Sequence, residues 1–140
     1  MKKPICKTYP DGHKEWWFNG NLHRIEGPAI EYSSGHKEWW NNGKLHRIGG
    51  AAIEYSDHSK EWWFNDELHR IEGPAIERSD SHKEWWLNDQ RHRIGGPAIE
   101  WSCGYKSWYL NGNKHSFEDY LQKLCELGYE EQAANLLFYL

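Results

Sequence analysis

The chain has 140 residues, among them 10 Trp, 8 Tyr and 9 His, with one Met and no Val. That balance excludes a core built mainly from aliphatic side chains, and it excludes disorder, because disordered segments are poor in aromatics. A formal net charge of -4 excludes the long-range basic field that gathers nucleic acid or anionic lipid. No run approaches the roughly 18 apolar residues of a membrane-spanning helix, and Met1-Lys2-Lys3-Pro4-Ile5 lacks the apolar stretch of a signal peptide. Cys6, Cys103 and Cys125 are odd in number and far apart, which fits a reducing compartment. The expectation is a soluble protein of the cytoplasm.

Residues 1–8 read as a lead-in strand. Segments 9–31, 32–54, 55–77, 78–100 and the shortened 101–115 then repeat with a 23-residue period and no insertion, about 4.5 hairpin units. Eight of the ten Trp stand in pairs, at 16/17, 39/40, 62/63 and 85/86, so the unusual composition follows from the repeat. Lys14 to Phe18 and Leu22 to Ile25 flank Asn19-Gly20, the pair that most favours a type I′ hairpin. Asn65-Asp66 and Asn88-Asp89 replace it in the third and fourth copies and tolerate that geometry less well. A second turn, Pro10-Asp11-Gly12 or Ser33-Ser34-Gly35, separates a strand such as Ala29 to Tyr32 from the next Lys-Glu-Trp-Trp, and Gly27-Pro28 breaks the chain between them. The predicted fold is mainly β: an elongated ribbon of antiparallel hairpin repeats with a C-terminal helical cap.

A two-residue loop at Asn19-Gly20 sets Phe18 opposite Asn21, Trp17 opposite Leu22 and Trp16 opposite His23. Extended one step further, it predicts cross-strand pairs Glu15/Arg24, Glu38/Arg47, Glu61/Arg70 and Glu84/Arg93, with Ser107 and Ser116 replacing both partners in the last copy. Neighbouring strand residues point to opposite faces, so the two Trp of a pair belong to different ladders. Trp16, Trp39, Trp62, Trp85 and Trp108 share a face with His23, His46, His69, His92 and His115. With Ile25, Ile48, Ile71 and Ile94 on it too, this is expected to be the structural ladder. Trp17, Trp40, Trp63, Trp86 and Tyr109, together with Leu22, Leu45 and Leu68, form the expected accessible surface.

The Trp17-Phe18-Asn19-Gly20 corner, His23 and the 23-residue period resemble the MORN repeat over about residues 9–115. Arg24 stands where that repeat usually has Gly, and Lys14-Glu15-Trp16 replaces its Tyr-x-Gly entry. The Trp-Trp, His-Arg and Gly-Pro-Ala version is similar to a divergent branch found in phage, bacterial and giant-virus proteins. The resemblance implies hairpins stacked into a slightly curved ribbon, and associations with scaffolding, dimerisation and membrane-adjacent assembly. If the source is a phage, it implies the host cytoplasm.

Residues 116–140 read as the cap. Ser116 before Glu118 and Asp119 is a helix start, Phe117, Tyr120, Leu121, Leu124 and Cys125 fall on one face, and Gly128 ends the helix. Glu130 to Leu140 reads as a second helix. The apolar end Leu136 to Leu140 packs on the last repeat, with a homodimer through these helices as the alternative.

One His per repeat does not make a metal site. Equivalent positions lie about 9–15 Å apart at a strand spacing of about 4.8 Å, whereas zinc needs ligands about 2.0–2.3 Å from one ion. His13, His36 and His82 sit beside turns and read as exposed, and His58 is displaced one place earlier in its repeat. Nearly every polar residue is a copy of another, while catalysis needs different groups converging on one centre. The chain is expected to be neither an enzyme nor the holder of a cofactor. Departures from the repeat at Arg78 and Arg91, with the constant Arg93, suggest a local positive patch. The favoured reading is a protein partner held through Trp, Arg and Tyr; the alternative is sequestration of a small nucleotide-type ligand stacked on Trp with Arg on phosphate. General nucleic-acid binding and a membrane role are not expected.

Overall fold

The computed structural model describes residues 3–138. Strand β1 (Ile5–Thr8) pairs antiparallel with β2 (Lys14–Phe18), which turns through Asn19-Gly20 into β3 (Asn21–Leu22). Asn19 and Gly20 have φ of 49° and 80°, the left-handed angles that a type I′ corner needs. Asn65-Asp66 and Asn88-Asp89 adopt the same corner. What compensates their strain is a hydrogen bond: the Asp66 carboxylate accepts from the Leu45 N–H at 2.8 Å, and Asp89 from Leu68 at 3.4 Å. The side chain that replaces Gly thus ties its hairpin to the one before.

After β3 the chain crosses a loop and returns as β4 (Ile30–Glu31), which pairs with β2 on one side and Lys37–Glu38 on the other. Repetition of this step builds a twelve-stranded antiparallel sheet, while the hairpin tips of the middle three repeats form separate two-stranded pairs. Trp39 shows how one strand serves both. Its N–H donates to the Ala52 carbonyl in the sheet, and its carbonyl accepts from His46 in the hairpin. Hairpins stack through backbone bonds from Gly43 to Leu22, Asp66 to Leu45, Asp89 to Leu68 and Gly112 to Arg91, at 2.9–3.0 Å. The result is a mainly β ribbon of hairpin repeats.

One face of the sheet carries Ile30, Ile53, Ile76 and Ile99, all buried, with Glu15, Glu38, Glu61 and Glu84 across from them. Ala29, Ala52, Ala75 and Ala98 are fully enclosed next to this row, where little more than a methyl group fits. On the opposite face Lys14, Glu31, Lys37, Glu54, Lys60, Glu77, Lys83, Glu100 and Lys106 alternate in sign from strand to strand.

Three expectations are corrected. The Glu–Arg cross-strand pairs do not form: Glu15 lies opposite Ile30, and Arg24 pairs with Glu31, as Arg47 does with Glu54, Arg70 with Glu77 and Arg93 with Glu100. The hairpin ladder ends at the Trp16–His23 rung, because the Arg24 N–H bonds to Trp40 of the next repeat. Ser107 and Ser116 therefore change for separate reasons: Ser107 is buried opposite Ile99, and Ser116 caps a helix. Ile25, Ile48 and Ile71 are not on a buried face but stand on loops, 85%, 83% and 81% exposed. His13, His36 and His82 are half-buried rather than exposed: His13 stacks on Tyr9 and Tyr32, His36 lies tilted between Tyr32 and Tyr55, and His82 lies tilted against Trp101.

The last hairpin leads into helices α1 (Phe117–Glu126) and α2 (Glu130–Leu137). The Ser116 hydroxyl accepts from the Asp119 N–H at 3.1 Å, and Gly128 at φ 84° closes a Schellman motif with Tyr129 donating to Leu124. Tyr120, Leu124 and Ala133 pack on Leu110, Ile94 and Trp108, so the cap sits on the fourth and fifth repeats. Leu136 joins that packing; Leu137 and Phe138 are exposed, and Tyr139 and Leu140 lie outside the described residues. No helix among the described residues is long and apolar enough to cross a membrane.

Candidate interaction surface

The loop from Arg24 to Pro28 is held by one side chain. The Arg24 guanidinium lies 3.8 Å from the Trp16 ring centroid and donates to the Pro28 carbonyl at 3.0 Å and to Glu31 at 2.9 Å. Arg47 on Trp39, Arg70 on Trp62 and Arg93 on Trp85 repeat the stack at 3.7–3.8 Å. A cation over an indole face contributes about 0.5–2 kcal/mol, more when desolvated. The guanidinium also lies flat on a glycine. A Cβ at Gly27, Gly50, Gly73 or Gly96 would come within 3.0 Å or less of the Arg carbon, so these glycines serve close approach rather than positive φ.

Between successive loops run open grooves. The largest, about 630 Å³, is lined by Arg47, Ile48, Trp62, Phe64, Arg70 and Ile71 among others. Its neighbour of about 520 Å³ has Arg24, Ile25, Trp39 and Asn41, the Asn giving a polar floor where other copies have Phe or Leu. A third, about 560 Å³, lies against Trp16 and Phe18. Trp16, Trp39, Trp62 and Trp85, expected to be structural, thus wall the grooves with an Arg over each ring. The exposed Ile row was missed because alternation says nothing about loop residues; its only signal is Ile following Arg just before a Gly-Gly or Glu-Gly pair.

On the other face Trp17, Trp40, Trp63 and Trp86 are half-buried, and each indole N–H donates to the glutamate two residues earlier at 2.8–3.0 Å. Tyr109 takes the fifth position beside Ser107. Arg78 pairs with Glu61 at 2.9 Å, and Arg91 pairs with Glu84 at 3.1 Å while lying over Trp86 and Tyr109. Arg78, Arg91 and Arg93 each have a carboxylate partner, in Glu61, Glu84 and Glu100. Burial works to raise the pKa of Glu84, but hydrogen bonds from His82, Arg91 and Trp86 outweigh it and hold the carboxyl below its ordinary range.

The recurring His link repeats. Nδ1 of His23, His69 and His92 accepts the backbone N–H of Asn42, Asn88 and Asn111 at 3.0–3.1 Å, which requires a neutral ring. Burial pushes the His92 pKa down from its ordinary 6.5, against a smaller upward pull from the Asn111 side chain. His46 Nδ1 is buried without such a partner among the described residues, its ring against Phe64. His115 pairs with Trp108 in the last hairpin. No group of three or more His, Cys, Asp or Glu is placed to hold a metal ion among the described residues.

No protein-family model matches the chain, and no curated protein matches it in sequence.

Proposed function

We propose that the chain is a non-enzymatic binding protein that holds a protein partner on the grooved Arg–Trp face and thereby blocks or scaffolds it. The observation that carries this reading is the row Ile25, Ile48 and Ile71, more than four-fifths exposed on loops fixed by the Arg stacks. Burying such a side chain contributes about 1.5–3 kcal/mol, and fixed loops lose little freedom when a partner covers them. Trp and Arg in the groove walls are the residue types that dominate interface energetics. Likeness to MORN repeats supports the same role, that of a phage or bacterial accessory factor acting in the cytoplasm. The arginines weigh toward protein and away from nucleotide, because their guanidinium groups already serve carbonyls and carboxylates.

The test is affinity capture from a bacterial lysate with mass spectrometry, using the full chain and an Ile48→Glu/Ile71→Glu double variant. A specific catch that disappears in the variant, at an unchanged thermal midpoint, is the expected result. Saturable quenching of Trp emission by nucleotides, with no protein caught, transfers the reading to ligand sequestration.

A further inference from the structure

Repeats two and four share a loop that the first and third lack. They read Ile48-Gly49-Gly50 and Ile94-Gly95-Gly96, where the others have Glu26 or Glu72 as the middle residue. Gly49 and Gly95 hold φ of 78° and 76°, a conformation that suits Gly and strains Glu. In repeat four the glycine lies against the cap. A Cβ on Gly95 would lie 3.4 Å from Gln132 of α2, in ordinary van der Waals contact. Alongside, the Tyr120 hydroxyl of α1 meets the Arg93 carbonyl at 2.6 Å and accepts from the Gly96 N–H at 3.2 Å. Ile94, Trp108 and Leu110 form the apolar bed beneath.

Two repeats earlier the corresponding loop carries no helix, and Arg70 lies 3.8 Å over Trp62 where Ser116 holds the matching position beside Trp108. Ile48, Trp62 and Phe64 occupy the positions of Ile94, Trp108 and Leu110, and no atom lies within 4 Å of a Cβ built on Gly49. Leu110 is 5% exposed under the cap, whereas Phe64 is 46% exposed. The groove over that loop is continuous with the occupied seat. The intervening groove shares Arg70 and Ile71 with the first and Ile94 with the second.

We propose that the groove over Gly49-Gly50 is a second helix seat, and that its occupant is an amphipathic helix of another protein presenting a tyrosine to the Arg47 carbonyl and Gly50 N–H. The inference rests on the protein-binding reading and names the chemistry of the partner. A phenol ring fills the depth against Trp62 while its hydroxyl meets the paired acceptor and donor of the loop. An apolar residue one turn later, as Leu124 follows Tyr120, reaches Phe64. A small or slender side chain must face Gly49. A second copy of this chain does not supply the helix, because its own Tyr120 and Leu124 are fully buried on its own ribbon.

The probe is a fluorescein-labelled, hydrocarbon-stapled peptide of residues 117–127 added to the full chain, with p-benzoylphenylalanine in place of Phe117. Saturable anisotropy and photo-crosslinks within residues 47–64 are expected. Ile48→Glu in the protein weakens binding about tenfold or more, and Tyr120→Phe in the peptide weakens it about threefold or more. Tyr105→Glu, 74% exposed beside the last turn and outside the grooves, leaves binding unchanged. Crosslinks confined to 93–110, binding indifferent to Ile48→Glu, or no binding overturns the proposal. If it is overturned while the Ile48→Glu/Ile71→Glu variant still loses its lysate partner, the binding face stands with a different ligand shape. Loss of both results sinks both readings.

Discussion

A Cβ on Gly73 would lie 2.9 Å from the Arg70 guanidinium carbon, which itself cannot retreat through Trp62. Gly73→Ala is therefore expected to lower stability by about 1–3 kcal/mol in urea unfolding. In an Arg70→Ala background the same change should cost far less; an equal cost in both backgrounds rejects close approach as the reason for the glycine. His92 gives a pH dependence. Its folded pKa lies below 6.5, so between the two values the unfolded state binds more protons and stability falls as the pH drops from about 6.5 through the folded value. Glu84, also depressed, adds a second loss below its ordinary 4.5. His92→Gln should flatten the first window in urea midpoints measured against pH and leave the second. At this scale residue types were legible in the sequence and partners were not. Glu and Arg recur together, but Glu15 and its copies accept from the Trp two residues on, whereas Arg24 and its copies pair with the Glu seven residues on.

Hairpins were the most legible elements. Asn-Gly within an exact period implies the corner, and the corner sets the Trp17–Leu22 rung. The rule ceased to apply where the chain left the hairpin: past the Trp16–His23 rung, Arg24 donates to the next repeat, and counting from the turn no longer identifies neighbours. Asp66 tests what holds one corner to the next. Asp66→Gly relieves left-handed strain and removes the bond to the Leu45 N–H, so stability should stay level or fall by up to about 1 kcal/mol. A clear gain would show that the inter-hairpin bond contributes nothing. Helix α1 was legible at both ends, since Ser116 and Gly128 are local signals. The seat of α1 was not, because it depends on a loop two strands away.

Across the molecule each repeat touches mainly its neighbours, through a pair of sheet strands and through bonds between hairpins. Excision of residues 55–77, one whole period, should leave a folded protein with a lower unfolding midpoint and native-like far-UV dichroism. Excision of 56–77 shifts every later strand by one residue, turns its inward side chains outward and should abolish cooperative unfolding. Periodicity made the ribbon predictable. It could not reveal which loops the cap covers, since the helical segment occurs once and has no copy to compare.

The ladder of alternating lysine and glutamate gives the net charge a direction. Together with the four stacked arginines, that face holds five lysines and four arginines against four glutamates, while the opposite face sets Arg78 and Arg91 against the row Glu15, Glu38, Glu61 and Glu84. The ribbon therefore has a dipole moment normal to its plane, hidden in a total of -4. Facing one way down, it should be retained on a cation exchanger at pH 7 and low salt, and released as the screening length shrinks to about 8 Å near 0.15 M. Passage straight through the column would show that the loop glutamates cancel the field, and that the two sides of the sheet are electrically alike.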